Sequence, residues 1–521
     1  MSFAWCALIL GLVGSQIEPP SSPAPTAEAV LTQTSEGMVV RYALSAPSDS
    51  FAFADKDIIR DQWRVTTPGL KLSDGVVTGD GPISGFELMI TPDLAEVDRV
   101  YVGLSRTGNG FVLYGPGLKG EGISTTLRAE IDGASVAVPS SDAIDGYVFV
   151  GPKDYVADYG DALVIAPPQL ASELDQSIRN EFAGSRAFYR SRLGIAPTLK
   201  PVLVVSVDSP GPSAFRGDVT DTGVISLRFK GEGWRSAQEE VSPFVWHEAF
   251  HLWNGHGVHN RDGDTAPWLH EGSAEYAAIT GPVSSGGMSE DQARARMSTK
   301  MNGCRRTYQN AGGRRPALRS GSAVYDCGTV VQWIADLELR HAGKGDFFSL
   351  WGRMLETARS QADGFGTAEF LAALSDTSAV HLVLDPQVEG RWDKIRDRLA
   401  DLGVTVVNAP TDQEFMAAAL FHVAKANCLT GSYGFYNEPG ALKLDGENCG
   451  PLSGGPIIDS VEGFNPQAVG QAMFDAVKAR CAAGQSVRYR TRDGRTLEAA
   501  CPTEPAVPQA WRIVEAPSFG R

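Results

Sequence analysis

The 521-residue sequence predicts a multidomain α+β protein, with a β-rich domain at each end and a central domain of strands and helices. Three observations predict this fold class. Residues 28–155 contain short alternating runs of apolar and polar residues separated by Gly, Pro and Asp. Residues 169–193 form a long amphipathic segment, and the chain again has helical periodicity from Tyr325 to about residue 402. Strand-like runs return from about residue 410.

Residues 1–27 are predicted to be a signal peptide followed by a flexible tether. The apolar stretch at 3–13 is shorter than the roughly 20 residues of a membrane span and has the length of a signal-peptide core. The stretch at 19–25 is rich in Pro, Ser and Ala, as linkers are. The predicted signal peptide leads us to expect an exported protein, periplasmic or secreted. The other apolar segments are too short to cross a bilayer, so we expect no membrane span.

The next segments are predicted to be mainly strands. Residues 28–158 are expected to form an antiparallel, sandwich-like domain, because the runs at 39–44 and 85–90 alternate with a period of two. Buried strands are predicted at 202–207 and 223–229, after the amphipathic helix.

Residues 247–251 read His-Glu-Ala-Phe-His, a pattern typical of a metal-binding helix. Helix positions i and i+4 lie about 5–6 Å apart at Cβ, so His247 and His251 can reach one ion. Glu248 is not needed as a ligand and can act as a base. Ser242-Pro243 predicts the start of the helix and Asn254-Gly255 its end. A surface helix with two solvated histidines is the alternative.

A second helix, predicted from Pro267 to about Ile279, offers a carboxylate for the same ion. Catalytic zinc takes three protein ligands and keeps one position open for water, and two histidines with one carboxylate are such a set. Glu271 and Glu275 lie one turn apart on one face of this helix. Their spacing permits either residue as the third ligand.

Both segments resemble the gluzincin metallopeptidases, through His-Glu-x-x-His-x-Trp-Asn at 247–254 and Trp-Leu-x-Glu-Gly-x-Ala-x-Tyr at 268–276. That group includes the membrane alanyl aminopeptidases and the glycyl aminopeptidase family, which carries a C-terminal PDZ domain. Asn254 favours the second branch. The resemblance implies a thermolysin-like zinc peptidase domain at 159–408 behind an N-terminal β domain. It also implies that the strand at 223–229 pairs with extended substrate.

The resemblance assigns roles to individual residues. It implies one Zn²⁺ per chain, held by His247, His251 and Glu271, with Glu275 orienting a ligand or balancing charge. Glu248 would be the general base. Tyr325, in the sequence Tyr-Asp-Cys-Gly at the start of a helix, would donate its hydroxyl to the oxyanion that forms during amide hydrolysis.

Residues 409–521 resemble a PDZ domain in the order of their predicted elements. The loop at 431–435 reads Gly-Ser-Tyr-Gly-Phe, and its backbone N–H groups would receive a peptide C-terminal carboxylate. Strands are predicted at 456–463 and 487–495, with a helix at 474–483 between them. A generic small β-rich domain is the alternative.

Cysteine content agrees with export. Besides Cys6 there are six cysteines, which permit fifteen pairings, or could remain free buried thiols. The simplest pairing joins sequence neighbours: Cys304 with Cys327, Cys428 with Cys449, and Cys481 with Cys501.

The expected function is therefore hydrolysis of a peptide or protein substrate by a zinc-activated water. No Gly-x-Met-Glu-Asn-like segment is present to hold a free amine, so aminopeptidase and endopeptidase action both stay open. The alternatives are a gluzincin hydrolase of a non-peptide substrate and a secreted PDZ-like peptide-binding protein with a non-catalytic zinc site. The net charge of −16 argues against nucleic acid as a partner.

Overall fold

The computed structural model describes residues 25–520, except 56–57, 59–61, 93–100, 141–143, 171, 209–213, 232–237, 313–315, 317, 362, 430–432 and 447. The predicted signal peptide thus lies outside the described residues. The chain forms two compact units. The first contains Met1–Gln176 and Leu199–Gln238, and the second contains Ser177–Thr198 and Glu239–Arg521. The domain limits predicted at 158 and 408 remain predictions.

The first unit begins with two sheets that share one hydrophobic core. One sheet has the order β3-β5-β2-β1-β8, with β4 against β5, and the other has the order β6-β7-β10-β9. These strands pair antiparallel except β1 with β8, which are parallel. The strands are β1 (Thr26–Gln33), β2 (Met38–Ala52), β3 (Trp63–Val65), β4 (Leu70–Ser73), β5 (Val76–Ile90), β6 (Leu104–Thr107), β7 (Gly110–Tyr114), β8 (Ser124–Glu130), β9 (Ser135–Val138) and β10 (Tyr147–Pro152).

A mixed five-stranded sheet completes the first unit, in the order β11-β12-β13-β15-β14. Its strands are β11 (Val156–Asp158), β12 (Leu163–Ile165), β13 (Val202–Asp208), β14 (Ala214–Val219) and β15 (Val224–Lys230). The strands predicted at 202–207 and 223–229 are present as β13 and β15. However, β15 is hydrogen-bonded to β13 on one side and to β14 on the other. The expectation that it pairs with substrate is therefore wrong, since both of its backbone edges are already used.

The second unit is mainly helical. Its helices are the greater part of α1 (Ser172–Leu193), then α2 (Gln238–Phe250), α3 (Trp268–Ser285), α4 (Glu290–Asn310), α5 (Ser322–His341), α6 (Phe347–Arg359), α7 (Thr367–Ala372), α8 (Val380–Leu384) and α9 (Arg391–Asp401). Large aromatic side chains fill the space between α1, α2 and α6: Tyr189 contacts the rings of Trp246, Phe250, Trp253 and Phe348. The sequence did not predict α4.

A small antiparallel sheet with two helices follows and has its own core. The helices are α10 (Asp412–Asn427) and α11 (Gly470–Ala482). The strands β17 (Tyr433–Glu438), β18 (Ala441–Gly446), β19 (Ile457–Val461), β20 (Val487–Thr491) and β21 (Thr496–Ala499) pair in chain order. The predicted elements at 456–463, 474–483 and 487–495 correspond to β19, α11 and β20. Residues 431–432 of the predicted carboxylate loop lie outside the described residues, and Tyr433 begins β17.

The last strand leaves this small sheet. β22 (Trp511–Glu515) pairs antiparallel with β16 (Thr405–Asn408) and lies against α4. The Asn302 side chain donates to the Trp511 carbonyl and accepts from its N–H, and Ser298 accepts from the N–H of Ile513. The final residues of the 409–521 segment thus pack on the helices.

The neighbour pairing of cysteines is confirmed. Disulfides join Cys304 to Cys327, Cys428 to Cys449 and Cys481 to Cys501. Among the described residues, the helices are too short or too polar to cross a membrane.

Candidate metal centre

The helix that carries His247 starts earlier than its sequence predicts. Pro243 lies inside α2 rather than at its first position, because four residues of helix precede Ser242. The regular helix ends at Phe250, and the backbone continues in tight turns to Gly255, whose φ of 83° ends it. His251 lies in the first of these turns. The one-turn relationship to His247 survives, with the two Nε2 atoms 3.2 Å apart.

Glu271, in the first turn of α3, completes the group. Its Oε2 lies 3.2 Å from His247 Nε2 and 3.4 Å from His251 Nε2. Both histidines are buried and Glu271 is partly buried. Glu275, one turn further along α3, instead lies 3.0 Å from His247 Nδ1. Glu271, not Glu275, therefore converges with the two histidines.

The partner of His251 fixes which ring nitrogen carries the proton. Asn254 is fully buried, and its Nδ2 donates to the His270 carbonyl at 3.0 Å and to Ser273 Oγ at 2.6 Å. Its Oδ1 therefore faces His251 Nδ1, 3.0 Å away, and must accept a hydrogen bond from it. The lone pair of neutral His251 is then on Nε2, directed at His247 and Glu271.

His247 is oriented in the same way. Its Nδ1 donates to Oε2 of Glu275, whose other oxygen accepts from Lys300 Nζ at 2.7 Å. A hydrogen bond from Nδ1 to a carboxylate leaves Nε2 as the lone-pair nitrogen and increases its basicity. Two nitrogen lone pairs and one carboxylate oxygen thus point at a common position.

This donor set fits a divalent cation. Bonds of roughly 2.0–2.2 Å at tetrahedral angles place ligand atoms about 3.4 Å apart, close to the separations among these three atoms. Without a cation or proton between them, three electron pairs at this separation would repel one another. Imidazole nitrogen with carboxylate oxygen is also the chemistry that zinc accepts.

The local electrostatics agree. Burial disfavours the protonated form of His247, in which both ring nitrogens donate, but the resulting hydrogen bonds to Glu271 and Glu275 outweigh burial and raise its pKa to about 10. Burial alone would raise the pKa of Glu271, yet the neighbouring His251 and His247 hold that pKa well below its ordinary value. The same carboxylates that strengthen the hold of His247 on a proton strengthen its hold on a metal ion.

Two glycines set the distance between the helices beside the group. A Cβ on Gly272 of α3 would lie 2.3 Å from the backbone of Gly328 on α5, and a Cβ on Gly328 would lie 2.5 Å from the Trp268 carbonyl. The helices cross in backbone contact there. Glu271 precedes one glycine, and Tyr325 lies nearly one turn before the other.

The other two predicted site residues lie beside the group. Glu248 is buried and follows His247 directly. Tyr325 lies in the first turn of α5, is 39% exposed, and has its ring centroid 6.0 Å from that of His247. Glu248, the candidate base, is thus enclosed, whereas Tyr325, the candidate hydroxyl donor, is a partly exposed residue.

The fold is shared with a solved peptidase-family structure. A crystal structure of an aminopeptidase N family protein from Idiomarina loihiensis superimposes with a TM-score of 0.57. The match covers 92% of this chain and 96% of that chain at 13% sequence identity. No protein-family model and no curated protein matches the sequence. At this identity the likeness establishes a common fold.

Sequence reasoning missed two residues of the centre. Asn254 was used as a helix stop and a branch marker, although its spacing of three from His251 is a signal for a side-chain contact within one turn. Lys300 gave no sequence signal, because it lies on an unpredicted helix 25 residues beyond Glu275. His270, which precedes Glu271, has its Nδ1 2.9 Å from Asn260 Nδ2.

Proposed function

We propose that this protein is a zinc-dependent metallopeptidase with one Zn²⁺ per chain, held by His247, His251 and Glu271. The observation that carries the proposal is the convergence of three metal-type donor atoms within 4.8 Å of one another, two of them on histidines whose other nitrogens are already hydrogen-bonded. A chance cluster of surface histidines would not have both outer nitrogens anchored.

Two further residues supply the chemistry of peptide hydrolysis. A zinc ion in such a set lowers the pKa of a bound water toward roughly 7. Glu248, adjacent to His247 and shielded from solvent, takes the proton of the attacking water and passes it to the leaving amine. The hydroxyl of Tyr325, a residue that is 39% exposed, donates to the carbonyl oxygen as negative charge develops there.

The wider structure supports the same proposal. The fold likeness to an aminopeptidase N family protein supports a hydrolase that acts on peptide bonds. Three disulfides support residence outside the cytoplasm, in the periplasm or the secreted fraction, since such bonds persist in oxidising compartments.

Replacing the base tests the assignment. Glu248→Gln removes the proton acceptor but no ligand, so we expect full zinc content with peptide turnover reduced about 10²–10⁴-fold, the usual contribution of a general base. His251→Ala should lose both zinc and turnover. Retained turnover in Glu248→Gln would refute the role of Glu248. The substrates are a peptide library with free and with blocked N-termini, which also separates aminopeptidase from endopeptidase action.

A peptide-binding role of the small domain, formed by the strands β17–β21 with the helices α10 and α11, is a second candidate. β17 is the outer strand of its sheet, and Phe421 of α10 contacts the rings of Tyr433 and Phe435 beside it. An outer strand next to an aromatic surface can accept an extended peptide. If the domain acts as a PDZ domain, a fluorescent peptide with a free C-terminus will bind and its amidated twin will not. Equal binding of both would exclude carboxylate recognition.

A further inference from the structure

Lys300 lies on α4, a helix that supplies none of the proposed ligands or catalytic groups. We propose that Lys300 is a positioning residue of the metal centre: it holds Glu275 against His247 Nδ1 and so sets the affinity of the site for zinc. This inference rests on the proposed function, because it concerns the same three ligands.

The contacts form a continuous chain. Lys300 Nζ lies 2.7 Å from Glu275 Oε1, and Glu275 Oε2 lies 3.0 Å from His247 Nδ1. Each carboxylate oxygen therefore has a separate partner. A carboxylate fixed at both oxygens cannot rotate away from the imidazole, so the ring plane of His247 is held where its Nε2 faces Glu271.

The carboxylates around Lys300 explain why its ammonium group is needed. Glu275 is largely shielded from water and lies one turn from Glu271, while Asp326 Oδ1 also lies 3.6 Å from Lys300 Nζ. Without the ammonium group, these carboxylates would repel one another in a poorly solvated space. Glu275 would then relieve the repulsion by moving toward solvent and releasing His247.

The backbone around Lys300 is cross-linked to α5. Cys304, one turn further along α4, is bonded to Cys327 of α5. A Cβ on Gly303 would lie 2.1 Å from Asp326 Oδ2, so the glycine leaves room for that carboxylate. The disulfide and this close approach join α4 to α5 and fix the origin of the lysine side chain relative to α3 and the metal ligands.

The test measures zinc affinity by competition with a chelator, using the full-length protein. Lys300→Met keeps the length of the side chain and removes its charge, and we expect zinc binding about 10–100-fold weaker, as for loss of a group that orients a ligand. Lys300→Arg should restore most of the affinity. Arg294→Met is the matched control, because it removes a cation of the same helix that pairs with the exposed Asp291. It should stay within about twofold of wild type.

A double variant tests whether Lys300 acts on zinc affinity through Glu275. Glu275→Gln should weaken zinc binding as Lys300→Met does, and the two changes together should cost little more than either one, since they act through one contact chain. With zinc saturating, kcat should fall while KM stays within about twofold, because His247 does not bind substrate. A purely structural lysine would lower the thermal stability and leave the zinc affinity of the folded fraction unchanged.

The outcomes separate the two proposals. Unchanged zinc affinity in Lys300→Met overturns the role of Lys300 while leaving the peptidase proposal intact. Zinc binding without peptide cleavage in the wild type overturns the peptidase proposal, and the affinity series still decides the role of Lys300. If Lys300→Met does not fold, Glu275→Gln decides: wild-type affinity in that variant overturns the contact chain.

Discussion

Asn254 is the residue on which the orientation of His251 depends. Its Nδ2 has two acceptors on α3, so its Oδ1 can only accept from His251 Nδ1. Replacing it with alanine removes that acceptor and leaves the His270 carbonyl without this donor. We expect Asn254→Ala to bind zinc about 10-fold more weakly and to lose about 1–3 kcal/mol of unfolding free energy.

Ser273→Ala provides the control for this prediction. Ser273 accepts from the same amide, whereas the partner of His251 Nδ1 is Asn254 Oδ1, so loss of Ser273 should affect stability more than zinc affinity. Chelator competition and thermal unfolding measure the two quantities. Equal losses of zinc affinity in both variants would show that packing, rather than the hydrogen bond to His251, holds the ring.

Helical periodicity brings together residues within one turn, whereas contacts between helices are predicted only where a motif marks them, as it does for Glu271. His247, Glu248 and His251 are adjacent in the sequence, so a periodicity of 3.6 residues brings the two imidazoles together. The pairing of Glu275 with Lys300 depends on how α4 packs against α3 and α5. No local pattern encodes that packing, which explains why Lys300 could not be predicted.

At the scale of elements, the positions of Glu271 and Tyr325 depend most directly on how closely α3 and α5 cross. A methyl group on Gly328 would overlap the Trp268 carbonyl, so the helices must separate to admit it. We expect Gly328→Ala to reduce the free energy of unfolding by about 1–3 kcal/mol. Activity should fall as well, because Glu271 and Tyr325 lie on the two sides of the crossing.

Gly184→Ala is the control for this experiment. A Cβ on Gly184 of α1 would meet only a ring carbon of Trp246 at 3.9 Å, which is ordinary contact. Gly184→Ala should therefore stabilise the protein by up to about 1 kcal/mol through helix propensity. Chemical denaturation compares the two variants. Stabilisation by both substitutions would mean that the crossing tolerates a side chain.

The segment between α2 and α3 is tied to α7 by an ion pair that predicts a dependence on pH. Arg261 donates to Glu369, and this bond holds the pKa of Glu369 below its ordinary value of 4.5. Because the folded pKa is the lower one, the contribution to stability is complete above about pH 4.5 and is lost as the pH falls through the folded pKa.

The variant Glu369→Gln should show that dependence. We expect its Tm to lie about 1–3 °C below wild type at pH 7, since both side chains are partly exposed, and the difference to shrink below pH 4. Asp363→Asn is the control, because Asp363 is largely exposed and 3.9 Å from Arg261. A difference that grows on acidification would contradict the sign of the pKa shift.

Secondary-structure elements were predicted correctly where the residues form a clear apolar run. They were missed where charged residues or a proline obscured the pattern. The strands β13 and β15 were predicted because they are short apolar runs with β-branched residues. α4 was overlooked although Met297, Met301, Cys304 and Tyr308 are buried at helical spacing, because charged residues separate them. The early start of α2 was missed because Pro243 was read as a first-turn residue, whereas the helix accepts it in its second turn.

At the scale of the whole molecule, the small domain lies in the sequence between β16 and β22, two strands that pair with each other. Ala409 N–H bonds to the Ala510 carbonyl, and Asn408 pairs with Trp511, so the chain leaves the helices and returns at one place. The residues between them form a separate hydrophobic core. The change of pattern predicts a boundary near 408, but pairing between strands about a hundred residues apart leaves no local signal.

This arrangement predicts that the small domain can be removed without unfolding the helices, provided that β22 is kept. Residues 410–509 would be replaced by Asn-Gly, the turn that best joins two antiparallel strands, which converts β16 and β22 into a hairpin. We expect this variant to retain zinc and to cleave short peptides within a few-fold of wild type.

Truncation after Ala409 is the matched comparison, because it also removes β22 and exposes Asn302 and Ser298, whose hydrogen bonds then have no partner. That variant should unfold at a lower temperature and lose zinc on dialysis. Equal stability of the two variants would mean that β22 does not support α4, and equal unfolding of both would mean that the small domain is indispensable to the helices that hold the metal centre.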